Sequence, residues 1–348
     1  MRQEIDAIPA VVARLLAEGG DEIERAAAII RAADPAWVSL VARGTSDHAA
    51  IHLRYLIETE LGLPAGMAAP STVTIYGADL RWRGGLVIAV SQSGRSPDLI
   101  AVLAAARAGG ATTVAIVNDA SSPLAAAADR VIDCRAGEER SVAATKSYVA
   151  QLAAGAALVA ALAPNPRLGA GLPRLPRILA DSLAMASSAI HDEAPIVAEF
   201  AASERSIVIG RGFEFPTALE TALKLKETCR LFAEGYSSAD FSHGPVVLTG
   251  PEVPILAIRP DGVMGQLVDE GIAAARATGS RPWVVGGVEL AASGDERVLA
   301  LPLSIDLPAP LASLALILPG QLLAEAVSRR RGYDPDAPPG LHKVTLTR

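Results

Sequence analysis

The chain is short of several things, and each shortage narrows what it can be. Only two cysteines occur in 348 residues, Cys134 and Cys229, and they form no Cys-x-x-Cys pair. A disulfide framework and a cysteine metal site are therefore excluded, and a reduced, cytoplasmic chain with two structural thiols is expected. Aromatic residues make up 4% of the chain against 51% hydrophobic residues overall. Ala, Leu and Val carry the apolar load, which suits helices packed on a parallel sheet better than an aromatic-rich β-sandwich. No Lys/Arg run marks a nucleic-acid footprint, the formal net charge is −7 and the pI about 5.4, so no nucleic-acid partner is expected.

The motifs that would announce familiar chemistry are also missing. There is no GxxxxGK[ST] loop, and Gly210-Arg211-Gly212 lacks the third glycine of GxGxxG, with no acidic residue placed for a ribose. No nucleotide cofactor is expected, nor any other. There is no GxSxG elbow and no Cys/His pairing for acyl transfer. His48 and His52 stand four apart, but no third ligand of matching kind stands near them, so no metal is expected. The N-terminal stretch carries acidic residues instead of a basic-then-apolar signal pattern. The most apolar segments, around 148–163 and 308–323, are short and interrupted by Pro, Gly or polar residues. They read as buried helices, and no membrane is expected as a partner.

What is present is a β/α alternation that occurs twice. Residues 1–35 read as a helical segment. Apolar runs at 37–42, 85–90, 112–117 and 130–134 then alternate with helical patterns, the last from 142 to about 162. Pro164, Asn165 and Pro166 open a Gly/Pro-rich boundary, followed by a helical connector over about 177–202. The pattern then restarts. With a shift of 168 positions Val38–Gly44 falls on Ser206–Gly212, Val87–Val90 on Ile255–Ile258 and Thr112–Val117 on Ser280–Val285. The expected organisation is a helical segment (1–35), one α/β domain (36–165), a linker and connector (166–204), a second α/β domain (205–331), and a proline-containing tail (332–348) laid over the active site.

In parallel α/β sheets ligands bind beyond the carboxyl ends of the strands. In the first copy those ends carry Gly44-Thr45-Ser46 and Ser91-Gln92-Ser93-Gly94-Arg95-Ser96, each between a strand and a helix. Helix amides and hydroxyls together suit a phosphate, although Ser and Thr also serve as plain helix caps. A third patch, Gly137 to Lys146, brings a carboxylate and a lysine to the same edge. In the second copy the stretch Ala218–Pro245 holds Glu220, Lys224 and Glu227 at i, i+4 and i+7, followed by a turn region that delivers His243. A carboxylate, an amine and an imidazole are the parts of a proton-transfer site. The competing interpretation is a surface ion-pair ladder beside an unrelated loop histidine.

These motifs resemble a known family. Ser91–Gly94 (SQSG), Val142–Lys146 (VAATK), Ala218–Glu227 (ALETALKLKE) and His243–Pro245 are similar to those of the double sugar-isomerase (SIS) domain family. More narrowly they resemble the isomerase half of glutamine–fructose-6-phosphate aminotransferases. The resemblance implies an α/β fold of two tandem SIS domains, each a doubly wound, flavodoxin-like parallel sheet flanked by helices. It implies a phosphorylated sugar or amino sugar held by Gly44, Thr45, Ser46, Ser91, Gln92, Ser93, Ser96, Val142 and Ala143. Glu227 would move a proton between C1 and C2, with Glu220 and Lys224 supporting it. His243 would assist ring opening, and Lys343 would reach the substrate carbonyl as a Schiff base. A homodimer with shared sites is implied as well.

Two departures bear on the activity. About 35 residues precede the first strand, with no cysteine near the start, so glutamine is not expected to supply ammonia within this chain. The loop also reads Arg95-Ser96-Pro97-Asp98 where the synthases have a Glu-Thr pair, which resembles stand-alone SIS-type glucosamine-6-phosphate deaminases. The expectation is a deaminase/isomerase converting glucosamine-6-phosphate to fructose-6-phosphate and ammonia. The alternatives are a galactosamine-6-phosphate or fructosamine-type relative, a plain aldose–ketose isomerase, an ammonia-dependent synthase, or a non-enzymatic sugar-phosphate sensor.

Overall fold

A computed structural model describes the chain except for residues 164, 165, 304, 305 and 344–348. It divides into two compact units. One holds Ala10–Glu139, Lys146–Leu175, and His342 with Lys343; the other holds Met1–Pro9, Arg140–Thr145 and Pro176–Leu341.

The first unit is built on β1 (Trp37–Val41), β2 (Ala65–Met67), β3 (Gly85–Ser91), β4 (Thr112–Val117) and β5 (Arg130–Asp133), all parallel, in the order β2-β1-β3-β4-β5. The second is built on β6 (Arg205–Gly210), β7 (Phe232–Ser237), β8 (Ile255–Arg259), β9 (Trp283–Gly286) and β10 (Val298–Ala300), in the order β10-β9-β8-β6-β7. Its pairings are parallel too. Numbered within its own unit, each sheet reads 2-1-3-4-5, the doubly wound flavodoxin-like order. The duplication is thus real at the level of topology. Trp37 and Arg205 open the first strand of each copy, and Ser91 and Arg259 close the third.

Central strands are legible because both of their faces are covered. All seven residues of β3 and all five of β8 are buried, so up to their last residues, Ser91 and Arg259, they read as apolar runs. The cores beneath are aliphatic: Val87, Leu99, Val102, Leu103 and Val117 in one unit, Ile207, Ile209, Ile255, Val268 and Ile272 in the other.

Several local expectations change. The second strand of each copy, β2 and β7, has no apolar run, because it is an edge strand and largely uncovered. In β7 the mid-strand Gly235 is demanded by the neighbouring helix, since a Cβ there would lie 2.8 Å from the Cα of Leu219. The expected turn region before His243 is therefore β7 followed by the helix Ser238–Ser242, with His243 at its C-terminal cap. The N-terminal segment is three helices, Arg2–Asp6, Ile8–Glu18 and Gly20–Ala33. The apolar stretch around 308–323 is part of two helices, Ala309–Leu316 and Leu318–Arg330, the break falling where Pro319 enters a first turn. The boundary after Pro166 contains a short helix, Arg167–Gly171, and the connector is Leu175–Ala189 plus Pro195–Ala202.

The segment Ala309–Arg330 is long and apolar enough to cross a membrane by length and composition, yet its apolar window is wholly buried within the fold. Both cysteines are buried free thiols. Burial pushes the Cys229 thiol up to about 12 and the Cys134 thiol higher still, so both stay protonated and inert.

Candidate active site

In the first unit β1 and β3 are hydrogen-bonded neighbours, and the strand order reverses between them. That switch point is where a doubly wound sheet opens a crevice. The two hydroxyl-rich turns, Gly44-Thr45-Ser46 and Ser91 to Ser96, follow these two strands. Gly44 sits at φ 56°, ψ −131° as the N-terminal cap of the helix Thr45–Leu56, a backbone state that needs glycine. With no side chain at the cap, no side-chain cap hydrogen bond closes the amide end of that helix. Ser96 occupies the N-cap position of the helix Pro97–Ala108 without a side-chain cap bond. Plain capping, the competing interpretation of this serine, is thus not what its hydroxyl does.

The remaining hydroxyls are oriented. Ser46 Oγ accepts from Gln151 Nε2 at 3.0 Å. Ser91 Oγ accepts from the Gly94 amide at 3.0 Å, and Ser93 Oγ from the Arg95 amide at 3.4 Å. Gln92 is half-buried beside them. Two residues that sequence reasoning passed over tie these turns together. Arg43, immediately before Gly44, donates from Nε and Nη2 to the buried carboxylate of Asp98 at 2.9 and 2.8 Å. Asp98 lies in the first turn after Ser96, so one ion pair spans both turns. The available signal was an acidic residue in a helix first turn that proved to be wholly buried. Gln151, on a helix that is buried nearly all round, offered no signal at all.

Lys343 belongs to this unit as well. Its Nζ lies 2.8 Å from Glu139 Oε2, and that buried carboxylate also accepts from Ser147 Oγ at 2.7 Å. The carboxylate and lysine expected near Gly137–Lys146 are Glu139 and Lys146, but Lys146 Nζ turns to the Glu138 carbonyl.

In the second unit the helix Glu214–Cys229 follows β6 and brings Glu220, Lys224 and Glu227 together. Glu220 and Lys224 have wholly buried side chains 3.4 Å apart. Glu227, whose side chain is 24% exposed, accepts from Lys224 Nζ at 2.5 Å. This is no surface ladder. Burial pulls the Lys224 pKa down, but the carboxylates, Glu220 before Glu227, outweigh it and hold the amine above its ordinary value. A protonated lysine thus sits between two carboxylates, and of the two only Glu227 is partly exposed. His243 is exposed. Val142 and Ala143 lie in the segment Arg140–Thr145, half-buried and buried respectively.

The loop after β8 differs chemically from its counterpart after β3. Where the first copy has Ser91, the second has Arg259, whose Nε donates to Asp269 at 2.9 Å and whose Nη1 donates to Glu289 at 3.0 Å. The Gly262 amide, at the following helix start, is taken by Glu289 at 3.0 Å. The second copy thus has carboxylates bonded to an arginine and a helix-start amide where the first has hydroxyls. Among the described residues no three His, Cys, Asp or Glu side chains gather to hold a metal. The expected site residues therefore divide by unit, with the hydroxyl turns and Lys343 in one and Glu220, Lys224, Glu227, His243, Val142 and Ala143 in the other.

Comparison with known proteins gives a consistent picture. A family model described as SIS domain matches residues 36–161. The glutamine–fructose-6-phosphate aminotransferase (isomerizing) of Methanothermobacter thermautotrophicus is 36% identical over 316 residues, covering 88% of this chain and 51% of that protein. The chain thus spans about half the length of the curated relatives it matches. Among solved structures, a Silicibacter pomeroyi DSS-3 protein assigned as a phosphosugar isomerase is 38% identical with a TM-score of 0.86, covering 97% of this chain and 99% of that one. The C-terminal domain of glucosamine-fructose-6-phosphate aminotransferase from Francisella tularensis is 26% identical with a TM-score of 0.85, covering 97% and 98%.

Proposed function

The chain belongs to the SIS domain family, and from that premise we propose that it is a phosphosugar isomerase acting as an amino-sugar-phosphate deaminase. The substrate we assign is glucosamine-6-phosphate, and the products are fructose-6-phosphate and ammonia. The observation that carries this is the buried Glu220–Lys224–Glu227 group. A sugar-phosphate sensor has no use for a carboxylate held half-exposed by a lysine that is itself buried and charged. An enzyme that must take a proton from carbon does.

The phosphate is held by hydroxyls and amides of Ser46, Ser91, Gln92, Ser93 and Ser96, with Gly44 and Thr45 lining the turn. His243 passes a proton to open the ring. Glu227 then takes the C2 proton of the open-chain aldose and returns it to C1. The C1 oxygen takes up the proton that the C2 amine loses, and the product is an imine at C2 beside a C1 hydroxyl. Water adds to it, the C–N bond breaks, and ammonia leaves with the ketose. Lys224 stays protonated and orients Glu227, while Glu220 balances Lys224's second side. Lys343 reaches the substrate carbonyl and donates a hydrogen bond to its oxygen as that oxygen takes up charge, while the ion pair with Glu139 orients the amine.

The proposal extends to a homodimer in which His243 serves the partner's site. Support comes from the exposure of His243 and of the neighbouring Val247 and Leu248, 79% and 51% exposed, an unusual state for apolar side chains beside a proton-transfer residue. The two protonated thiols suit a reducing, cytoplasmic setting.

The test is direct. Pure protein is incubated with glucosamine-6-phosphate, galactosamine-6-phosphate and a fructosamine phosphate, and ammonia and ketose phosphate are measured. Stoichiometric release of both from the first supports the proposal. Release from none of the three removes it. Interconversion of phosphosugars without ammonia leaves the family's isomerase chemistry as the activity.

A further inference from the structure

Glu4 lies on the helix Arg2–Asp6, outside every group assigned above, and is buried at 8% exposure. Its Oε1 accepts the backbone N–H of both Arg140 and Ser141, the second at 3.2 Å. The next amide along, that of Val142, donates to the Asp336 carbonyl at 3.0 Å, and Ser141 Oγ donates to the Pro335 carbonyl at 3.4 Å. At the far end of the segment Gln321 Nε2 donates to the Thr145 carbonyl at 3.3 Å. Residues 140–145 form neither helix nor strand, yet Ser141, Ala143 and Thr145 are buried.

Backbone amides in such a segment have no ladder to join, and each must be given an acceptor. Two adjacent amides aimed at one carboxyl oxygen is the strong form of that arrangement, because hydrogen bonds to a charged acceptor are shorter and firmer than neutral ones. The carboxyl group therefore fixes the peptide planes immediately before Val142.

We infer that Glu4 is a positioning residue for the segment Arg140–Thr145, setting the backbone that presents Val142 and Ala143 to the sugar. This rests on the role proposed above for those two residues. Glu4 touches no reacting atom and acts wholly through the Arg140 and Ser141 amides.

The test compares wild type with Glu4→Gln, which keeps an oxygen acceptor, and Glu4→Ala, which keeps none. Hydrogen exchange is followed in peptides covering residues 138–147, with β3 peptides as an internal reference. In Glu4→Ala the segment should exchange about tenfold faster while β3 is unchanged, and Glu4→Gln should recover much of the protection. Glucosamine-6-phosphate, titrated calorimetrically, should bind Glu4→Ala about tenfold more weakly. Three results would overturn the inference: wild-type exchange of the segment in Glu4→Ala, equal acceleration of β3, or faster exchange with unchanged affinity. If wild type itself binds no hexosamine phosphate, the functional proposal is what fails, and the exchange data still decide whether Glu4 orders the segment.

Discussion

Lys224 and Glu227 form an ion pair three positions apart on one helix, the lysine wholly buried and the glutamate partly exposed. The buried Glu220 lies on the lysine's other side, 3.4 Å away. The lysine is therefore engaged on both sides, and Glu227 is the one carboxylate of the pair left partly exposed. Glu227→Gln keeps the size and an acceptor but cannot take a proton from carbon. Turnover should fall about 10²–10⁴-fold, while the calorimetric Kd for the sugar phosphate stays within about threefold. Parallel loss of binding and turnover would make Glu227 a structural residue.

Lys224→Met should cost about 3–5 kcal/mol of stability, because it leaves Glu220 buried without its counter-charge. Lys224 has a folded-state pKa raised above 10.5. Its contribution is therefore complete below that pH and is lost as pH rises through the folded-state value. Urea unfolding at a series of alkaline pH values should show that loss in wild type and not in Lys224→Met. An identical alkaline decline in both would assign it to other groups.

Glu214 opens the same helix with its carboxyl fully buried, accepting from Ser313 Oγ at 2.9 Å. Burial pushes its pKa from 4.5 up to about 8, against the smaller opposing effect of the Ser313 bond. The unfolded chain releases this proton near 4.5 and the folded one near 8, so stability falls as pH rises between those values, by an amount on the order of a few kcal/mol. Glu214→Gln mimics the protonated acid and should flatten the decline. Denaturant midpoints at either end of the window test this, and an unchanged slope in the variant would refute it.

Asp98→Asn weakens the ion pair that joins the two hydroxyl turns, Arg43 being half-exposed and easily resolvated. A hydrogen bond to a charged group is worth about 1.5–3 kcal/mol. Affinity for the phosphorylated sugar should therefore drop about tenfold or more, with a smaller effect on the unfolding midpoint. A variant that loses stability but binds normally would show that Arg43 and Asp98 serve the fold alone.

Much of this protein is determined by local sequence. Central strands covered on both faces are apolar over most of their length, so β3 and β8 stand out, and a duplicated strand order follows from a duplicated pattern. Hydroxyls and glycines at strand ends are equally legible, since only such residues suit a turn whose amides are to face an anion. The edge strands β2 and β7 escape notice because half-covered strands need no apolar run. Tertiary structure alone decides charge environment. The i, i+4, i+7 spacing of Glu220, Lys224 and Glu227 is the same on a solvated face as in a core. Their helix packs against Leu318–Arg330, β6 and β7, and in that packing Lys224 is wholly buried while Glu227 stays partly exposed. The same holds for Arg43 with Asp98 and for Glu4 with Arg140 and Ser141, partners 55 and more than 130 positions apart. Desolvation and long-range pairing depend on which surfaces meet, and no spacing along the chain encodes that.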